Sequence, residues 1–370
     1  MPAPTASSPF TPGLELSRRF YREAVLPLVE AEVPGVVHCA ARLGGGSEVL
    51  GFDTPRSADH EWGPRLQLFL SAPDLDRHGA RIDNALAEGL PKTFHGHPTH
   101  FATTGDGEIG VMAETDGPVR HRVEISTPGR WFIEQLGFDP VAGPTTADWL
   151  STPTQRLAEV TSGAVFHDGL GTVSSARAAL ARYPRDVWLY VLACQWQRIS
   201  QEEAFVGRCG EVGDELGSAV VAARLVRDLM RLGILMDRHH PPYSKWLGSA
   251  FARTAVASEL TGHLTATLAA TTHEVREQQL ARAYETIAVA HNRLGVTDPV
   301  DPHTRPYHSR PYRVLHAERF AAALVSRIED PAVRALPPTG AVDQFVDSTD
   351  ILAHPERARA VVNALRTSGS

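Results

Sequence analysis

The chain has 370 residues, 42% of them apolar, and sets 36 basic against 43 acidic side chains for a formal charge of −7. That length predicts two or three domains with enough apolar surface for real cores. Mild acidity spread along the chain argues against a long nucleic-acid partner, which needs a basic face, and a 21% charged fraction argues against disorder.

Cys39, Cys194 and Cys209 are too few and too far apart for a disulfide framework or a Cys-x-x-Cys zinc site, which fits a reducing cytoplasm. No apolar stretch approaches the ~20 residues of a membrane span. The first thirteen residues, rich in Pro, Ser and Thr, lack the basic and apolar regions of a signal peptide and read as a loose arm. Only two of the 36 basic residues are lysines, Lys92 and Lys245.

In chain order, Leu14, Phe20, Ala24 and Leu28 predict a helix over 14–32, kinked at Pro27. Residues 36–43 read as a buried strand. A sharp turn at Gly44-Gly45-Gly46-Ser47 follows and opens a short helix. Residues 65–70 (RLQLFL) alternate as a half-buried strand does, 74–90 are helical, 92–117 irregular, and 119–127 (VRHRVEIST) form a second alternating strand. Beyond about residue 145 strand signals nearly vanish, and long helices are expected at 146–162, 173–182, 186–203, 212–236, 246–268, 272–294, 315–328 and 355–365. The fold class is therefore α+β, with a mixed domain over 1–145 and an all-helical domain over 146–370.

Carboxylates near the first strands carry the chemistry. If Asp59 and Glu61 lie at the mouth of a strand, residues i and i+2 share a face about 7 Å apart. Neither has an obvious basic partner in the local sequence, so cations would relieve their repulsion. Mg²⁺ takes oxygen ligands and favours one or two carboxylates with substrate phosphates. Two such ions form a clamp for in-line displacement at phosphorus. Glu124 shares a strand face with Arg122 and Ser126, opposite Val123 and Ile125. Beside the Asp59 strand it would bind metal or take a proton from an attacking hydroxyl. Backbone N–H groups at Gly46 and Ser47, with the Ser47 hydroxyl, suit phosphate oxygens.

Gly46-Ser47, eleven intervening residues and Asp59-His60-Glu61-Trp62 resemble the nucleotidyltransferase superfamily related to DNA polymerase beta. The stretches GGGSEVLGFDTPRSADHEWGPRLQLFL, SGAVFHDG (162–169) and PPYSKWLGSAF (241–251) are similar to an uncharacterised bacterial branch of it. The resemblance implies an N-terminal catalytic domain with a small mixed sheet and a helical domain that closes a cleft. It also implies Mg²⁺-dependent transfer (two ions, with Mn²⁺ as a substitute) of a nucleoside monophosphate from an NTP to a hydroxyl. On it, Asp59 and Glu61 are the first metal pair, Glu124 the third acid, and Gly46 and Ser47 the phosphate-binding pair. His60, where the superfamily has an apolar residue, and Glu61, where Asp is commoner, depart from its pattern. Mild acidity points to a small polar acceptor.

Lys245 is read as a phosphate contact from the helical domain, since a compact ammonium suits a crowded triphosphate. Glu114 and Asp116 are rival third acids in a Gly-rich loop, and Asp168 reads as a turn residue. His239-His240 reads as a helix C-terminus. His95, His97 and His100 open a rival reading, a His-based metallohydrolase; a nucleotide-binding regulator without turnover is another.

Overall fold

The computed structural model describes residues 10–104 and 109–367; of the expected N-terminal arm, residues 1–9 lie outside them. The fold is α+β. The chain divides into two compact units, Met1–Pro144 with Arg156–Ala181, and Thr145–Gln155 with Arg182–Ser370. No helix among the described residues is long and apolar enough to cross a membrane.

In the first unit, α1 (Gly13–Phe20) and α2 (Leu26–Glu32) are joined by a π-helical stretch, Tyr21–Val25. Pro27 has no N–H to return to the preceding turn and its ring crowds that turn. The helix relieves this by widening, so that the Leu26 N–H reaches back to the Tyr21 carbonyl. Next come β1 (His38–Arg42), β2 (Arg65–Leu70) and α3 (Ala72–Gly89), the last capped by Ser71, whose side chain accepts from the Asp74 N–H.

The segment read as irregular holds a two-residue ladder, β3 (Thr93–Phe94) with β4 (His97–Pro98), and a hairpin, β5 (His100–Thr104) with β6 (Ile109–Ala113). Its Gly, Thr and His content hides the alternation that Phe101 opposite Met112 carries. Then follow β7 (Arg122–Ser126) and α4 (Pro128–Leu136), which starts on a Thr127 cap and stops at left-handed Gly137.

Helix α5 (Thr146–Ser151) belongs to the second unit, and α6 (Thr154–Thr161) leads back into the first; Pro153 breaks the single helix expected over 146–162. Residues 162–169, assigned above to the helical part, instead supply a strand, β8 (Ala164–Asp168), followed by α7 (Thr172–Leu180). The alternation in Ala-Val-Phe-His-Asp is short and its side chains only half-buried, so nothing in the sequence set it apart from a loop.

The sheet has the order β7-β2-β1-β8, with β1 antiparallel to β2 and β8, and β2 parallel to β7. Leu66, Leu68, Leu70, Ala40, Val123 and Ile125 pack on one face against Leu16, Phe20 and Val25 of the opening helices and Ile82 and Leu86 of α3. On the opposite face, Trp131 of α4 meets Phe69 edge-on at 5.8 Å. That cover stops short of the start of β2, where the same face carries Arg65 and Gln67.

Among its described residues the second unit has helices and one two-residue ladder, Arg305–Pro306 with Arg313–Val314. Its main helices are α8 (Arg185–Glu202), α9 (Phe205–Glu211), α10 (Glu215–Met236), α11 (Ser244–Phe251), α12 (Ala257–Ala269), α13 (His273–Arg293) and α14 (Glu318–Val325). The helix expected over 246–268 is thus two. In the core Trp196 stacks on Phe320 at 4.5 Å and its indole N–H donates to Nδ1 of buried His291 at 3.2 Å.

Burial pushes His291 down from 6.5 to about 4. The unfolded chain therefore binds a proton that the folded one refuses, and His291 costs stability as pH falls from 6.5 toward 4. His291→Asn, whose side-chain oxygen can accept the same indole N–H, is expected to lose less stability than the native chain over that window in urea titrations; equal losses would contradict this.

Candidate active site

Pairing places three chain segments at one end of the first unit's sheet. Ala41 opposes Gln67, so β1 ends where β2 begins, and Arg65 opposes Arg122, so β7 begins there too. The turn Gly44–Ser47, the segment Asp59–Trp62 and the face of β7 that bears Glu124 meet at this end.

Glu48 is the buried anchor, 2% exposed. Its Oε1 takes both guanidinium groups, Arg42 through Nε at 2.9 Å and Nη2 at 2.8 Å, and Arg65 through Nη2 at 2.8 Å and Nε at 3.1 Å. Its Oε2, equally buried, finds no partner from another described residue. Burial alone would raise the Glu48 pKa, but Arg42 and Arg65 outweigh it and hold the carboxyl below its ordinary range. Arg42 also donates to the carbonyls of Leu43 and Gly45. Gly46 (φ +149°) lies against this cluster: a Cβ there would stand 2.6 Å from Arg42 Nη2 and Glu48 Oε2 and 2.8 Å from Arg65 Nη2. Glycine at 46 is thus demanded by the arginines.

The turn is hydrogen-bonded, with Val49 N–H to Gly46 O and Phe52 N–H to Ser47 O, and it does not open the helix expected. Too few residues separate it from Gly51 and Pro55 for helix nucleation to succeed. The N–H groups of Gly45, Gly46 and Ser47 make no hydrogen bond among the described residues.

Asp59 and Glu61 are not on a strand, which corrects the argument from alternating faces. Asp59 ends a 3₁₀ turn, Pro55–Asp59, and Glu61 is left-handed at φ +46°; the strand begins only at Arg65, after Gly63-Pro64. Proline at 64 withholds a ladder donor, so pairing starts after it. Asp59 is exposed, with Oδ1 taking the His60 N–H and Nδ1, both at 2.9 Å, and Oδ2 unengaged among the described residues.

Glu61, expected to lack a basic partner, has two. Its Oε1 accepts from Arg122 Nη2 at 2.7 Å and from the Gly110 N–H at 2.5 Å, and its Oε2 lies 3.4 Å from Arg65 Nη1. The hairpin holds this arrangement: Glu61 N–H donates back to Gly110 O, and Phe101 lies under the Arg122 guanidinium at 5.6 Å. A Cβ at Gly110 would stand 1.9 Å from Arg122 Nη2, so a side chain there would displace the Arg122 guanidinium from this position.

Glu124 does stand beside β2, opposite Gln67. Its Oε2 accepts from Gln67 Nε2 at 3.1 Å and from the Trp131 indole N–H at 3.2 Å, leaving Oε1 unengaged among the described residues. Gln67 is buried and is itself fixed by the Leu43 N–H, which donates to its Oε1 at 3.0 Å. Arg42, Arg65, Gln67, Arg122 and Glu124 line a pocket of about 230 Å³.

Against Mg²⁺, the donors fit in kind: hard carboxylate oxygens, with one unengaged on Asp59 and one on Glu124. Glu61 fits only when its arginines are otherwise engaged. Among the described residues, the one trio of acidic, His or Cys groups with ligand atoms all within 4.8 Å of one another is Glu215, His273 and Glu274 of the second unit.

The histidine rival is taken apart. His95 pairs with Glu23 at 2.9 Å, His97 packs edge-on to Trp62 at 5.2 Å, and His100 Nδ1 accepts the Arg120 N–H at 3.1 Å. Asp168, read as a turn residue, is instead the last residue of β8, opposite Cys39, and its carboxylate takes the Cys39 thiol and the Ser174 N–H. His240, read as a helix-end cation, is instead buried against Tyr183 and Trp149, because α10 ends at Met236 and left-handed Arg238 turns the chain inward. Lys245 is exposed in the first turn of α11, its ammonium 4.9 Å from the Trp246 ring, in the second unit.

Arg42, Glu48, Arg65 and Gln67 escaped the sequence reading. The signal was there in part: Arg65 and Gln67 occupy alternate positions of an otherwise apolar strand, facing away from Leu66 and Leu68.

Residues 149–247 match the model of a family described as a domain of unknown function, DUF4037, over roughly a quarter of the chain. That stretch includes β8, Asp168 and Lys245 and lies outside the turn and carboxylates described here. No curated protein matches the chain.

Removing one partner of the Glu48 cluster leaves buried arginine charge uncompensated. Glu48→Gln is expected to lower the unfolding free energy by about 3 kcal/mol in urea titration, and Gly46→Ala to destabilise as well. Native stability in either would contradict the packing described.

Proposed function

We propose that the first unit binds a nucleoside triphosphate at this end of the sheet and transfers its nucleoside monophosphate to a hydroxyl of a small polar acceptor. One observation carries the reading: the strand order β7-β2-β1 gathers the Gly46–Ser47 turn, with three unengaged N–H groups, the acids Glu61 and Glu124, and an arginine-lined pocket at one sheet end, with Asp59 two residues before Glu61 in the chain. The likeness of residues 44–70 to nucleotidyltransferases points the same way.

In this reading the N–H groups of Gly45, Gly46 and Ser47 donate to phosphate oxygens, and Arg65 and Arg122 neutralise them. Asp59 and Glu124, with Glu61 once released, would hold Mg²⁺, which when bound offsets phosphate charge and draws electron density from the α-phosphorus. The acceptor oxygen forms a bond to that phosphorus while the bond to the bridging α–β oxygen breaks, and pyrophosphate leaves. Glu124, its Oε2 fixed by Gln67 and Trp131, has Oε1 available to take the hydroxyl proton. Positioning and charge neutralisation supply most of the acceleration.

The test is to incubate the full chain with Mg²⁺, each NTP and a metabolite extract, following pyrophosphate and nucleotide adducts by mass spectrometry. Acceptor-dependent pyrophosphate is expected, with a loss of more than about 100-fold in Asp59→Ala. Absence of release across a broad panel, or release unchanged in that variant, contradicts transfer; nucleotide binding without release would favour a regulator, a reading for which Glu61's arginine pairs speak.

A further inference from the structure

We propose that Arg65 and Arg122 are the polyphosphate seat of this site and that Glu61 is its resident anion, exchanged for phosphate when substrate binds. The inference deepens the nucleotidyl-transfer reading and rests on it.

The three arginines have different work. Arg42 is 3% exposed and spends its donors on Glu48 and the Leu43 and Gly45 carbonyls, so it is structural. Arg65 reaches Glu61 only at 3.4 Å through Nη1, and Arg122 gives Glu61 a single nitrogen. Both side chains line the pocket: Arg122, its plane fixed by Phe101, presents a fork suited to bidentate phosphate contact, while Arg65, whose Nε and Nη2 are held by Glu48, offers Nη1. The pocket, about 230 Å³, is smaller than a site for a whole nucleotide and suits its phosphates.

Charge favours the exchange. Arg42, Arg65 and Arg122 face Glu48, Glu61 and Glu124, so withdrawal of Glu61 leaves a positive patch. Burial and then the neighbouring Arg42 push Arg65 down to about 10, against the upward pull of Glu48 and Glu61, so an anion in place of Glu61 would be welcome. Glu61 is suited to leave. It stands on a loop before the strand, left-handed at φ +46°, a conformation unfavourable for glutamate unless its contacts hold it. Glu48, by contrast, is buried beneath and stays.

Metal-free titration calorimetry with inorganic tripolyphosphate, in EDTA, tests the exchange. Glu61→Gln removes the competing charge and is expected to tighten binding about ten-fold, while Arg122→Gln weakens it about ten-fold. Arg122→Lys, which keeps the charge without the fork, should fall between native and Arg122→Gln. Melting curves identify any variant that fails to fold, and Arg122, partly exposed at the rim, is the substitution least exposed to that failure. Unchanged or weaker binding in Glu61→Gln, or unchanged binding in Arg122→Gln, overturns the proposal. If the native chain binds Mg·ATP but Glu61→Gln shows no tightening, the exchange alone is wrong. If the native chain binds neither Mg·ATP nor tripolyphosphate, the nucleotide reading falls with it.

Discussion

A single carboxylate oxygen, Oε1 of Glu48, holds the end of β1, the glycine turn and the start of β2 together, because it takes the guanidinium groups of Arg42 and Arg65 at once. Two buried cations beside one another are tolerated only where an anion lies between them. That requirement sets the path of the turn: the chain must bring Glu48 back under the strand it has just left, and residue 46 must have no side chain. The unengaged amides of residues 45–47 are a by-product of this folding back. A turn that spends its contacts on the arginines beneath it leaves its N–H groups without partners among the described residues.

From that anchor the site divides into a fixed part and an exchangeable part. Glu48, Arg42 and Gln67 are buried; Glu48 and Arg42 are bonded to each other, and Gln67 joins Leu43 at the β1 end to Glu124 on β7. Glu61, Arg65 and Arg122 form the outer layer, where a half-buried loop acid meets two cations that phosphate would also satisfy. Fixed groups of this kind place charges before a substrate arrives, which is how preorganised electrostatics lowers a barrier. The outer layer resolves an apparent conflict, since Glu61, expected to draw in metal, is found neutralising arginine.

Much of the fold was readable because it rests on local periodicity. The alternation of RLQLFL and VRHRVEIST marks β2 and β7, and the spacing of Leu14, Phe20, Ala24 and Leu28 marks the opening helix. What escaped depends on long-range pairing. β8 is held by its register with β1, more than a hundred residues away, and its own five residues carry little pattern. The same holds for the site. Glycine, serine and the acids could be singled out by spacing, but that Glu61 meets Arg122 across 61 positions, or Glu48 meets Arg65, is a property of the closed sheet end. Placing Asp59 and Glu61 on a strand failed for a local reason, since Gly63-Pro64 delays the ladder until Arg65.

The account's central claim is that this sheet end receives phosphate in place of Glu61. A crystal structure of the full chain with Mg²⁺ and a non-hydrolysable NTP analogue tests it most directly. The phosphates should lie on Arg65, Arg122 and the amides of residues 45–47, with the Glu61–Arg122 pair broken and the Glu48 cluster unchanged. Phosphates bound elsewhere, or a Glu61–Arg122 pair intact beside a bound analogue, would contradict it.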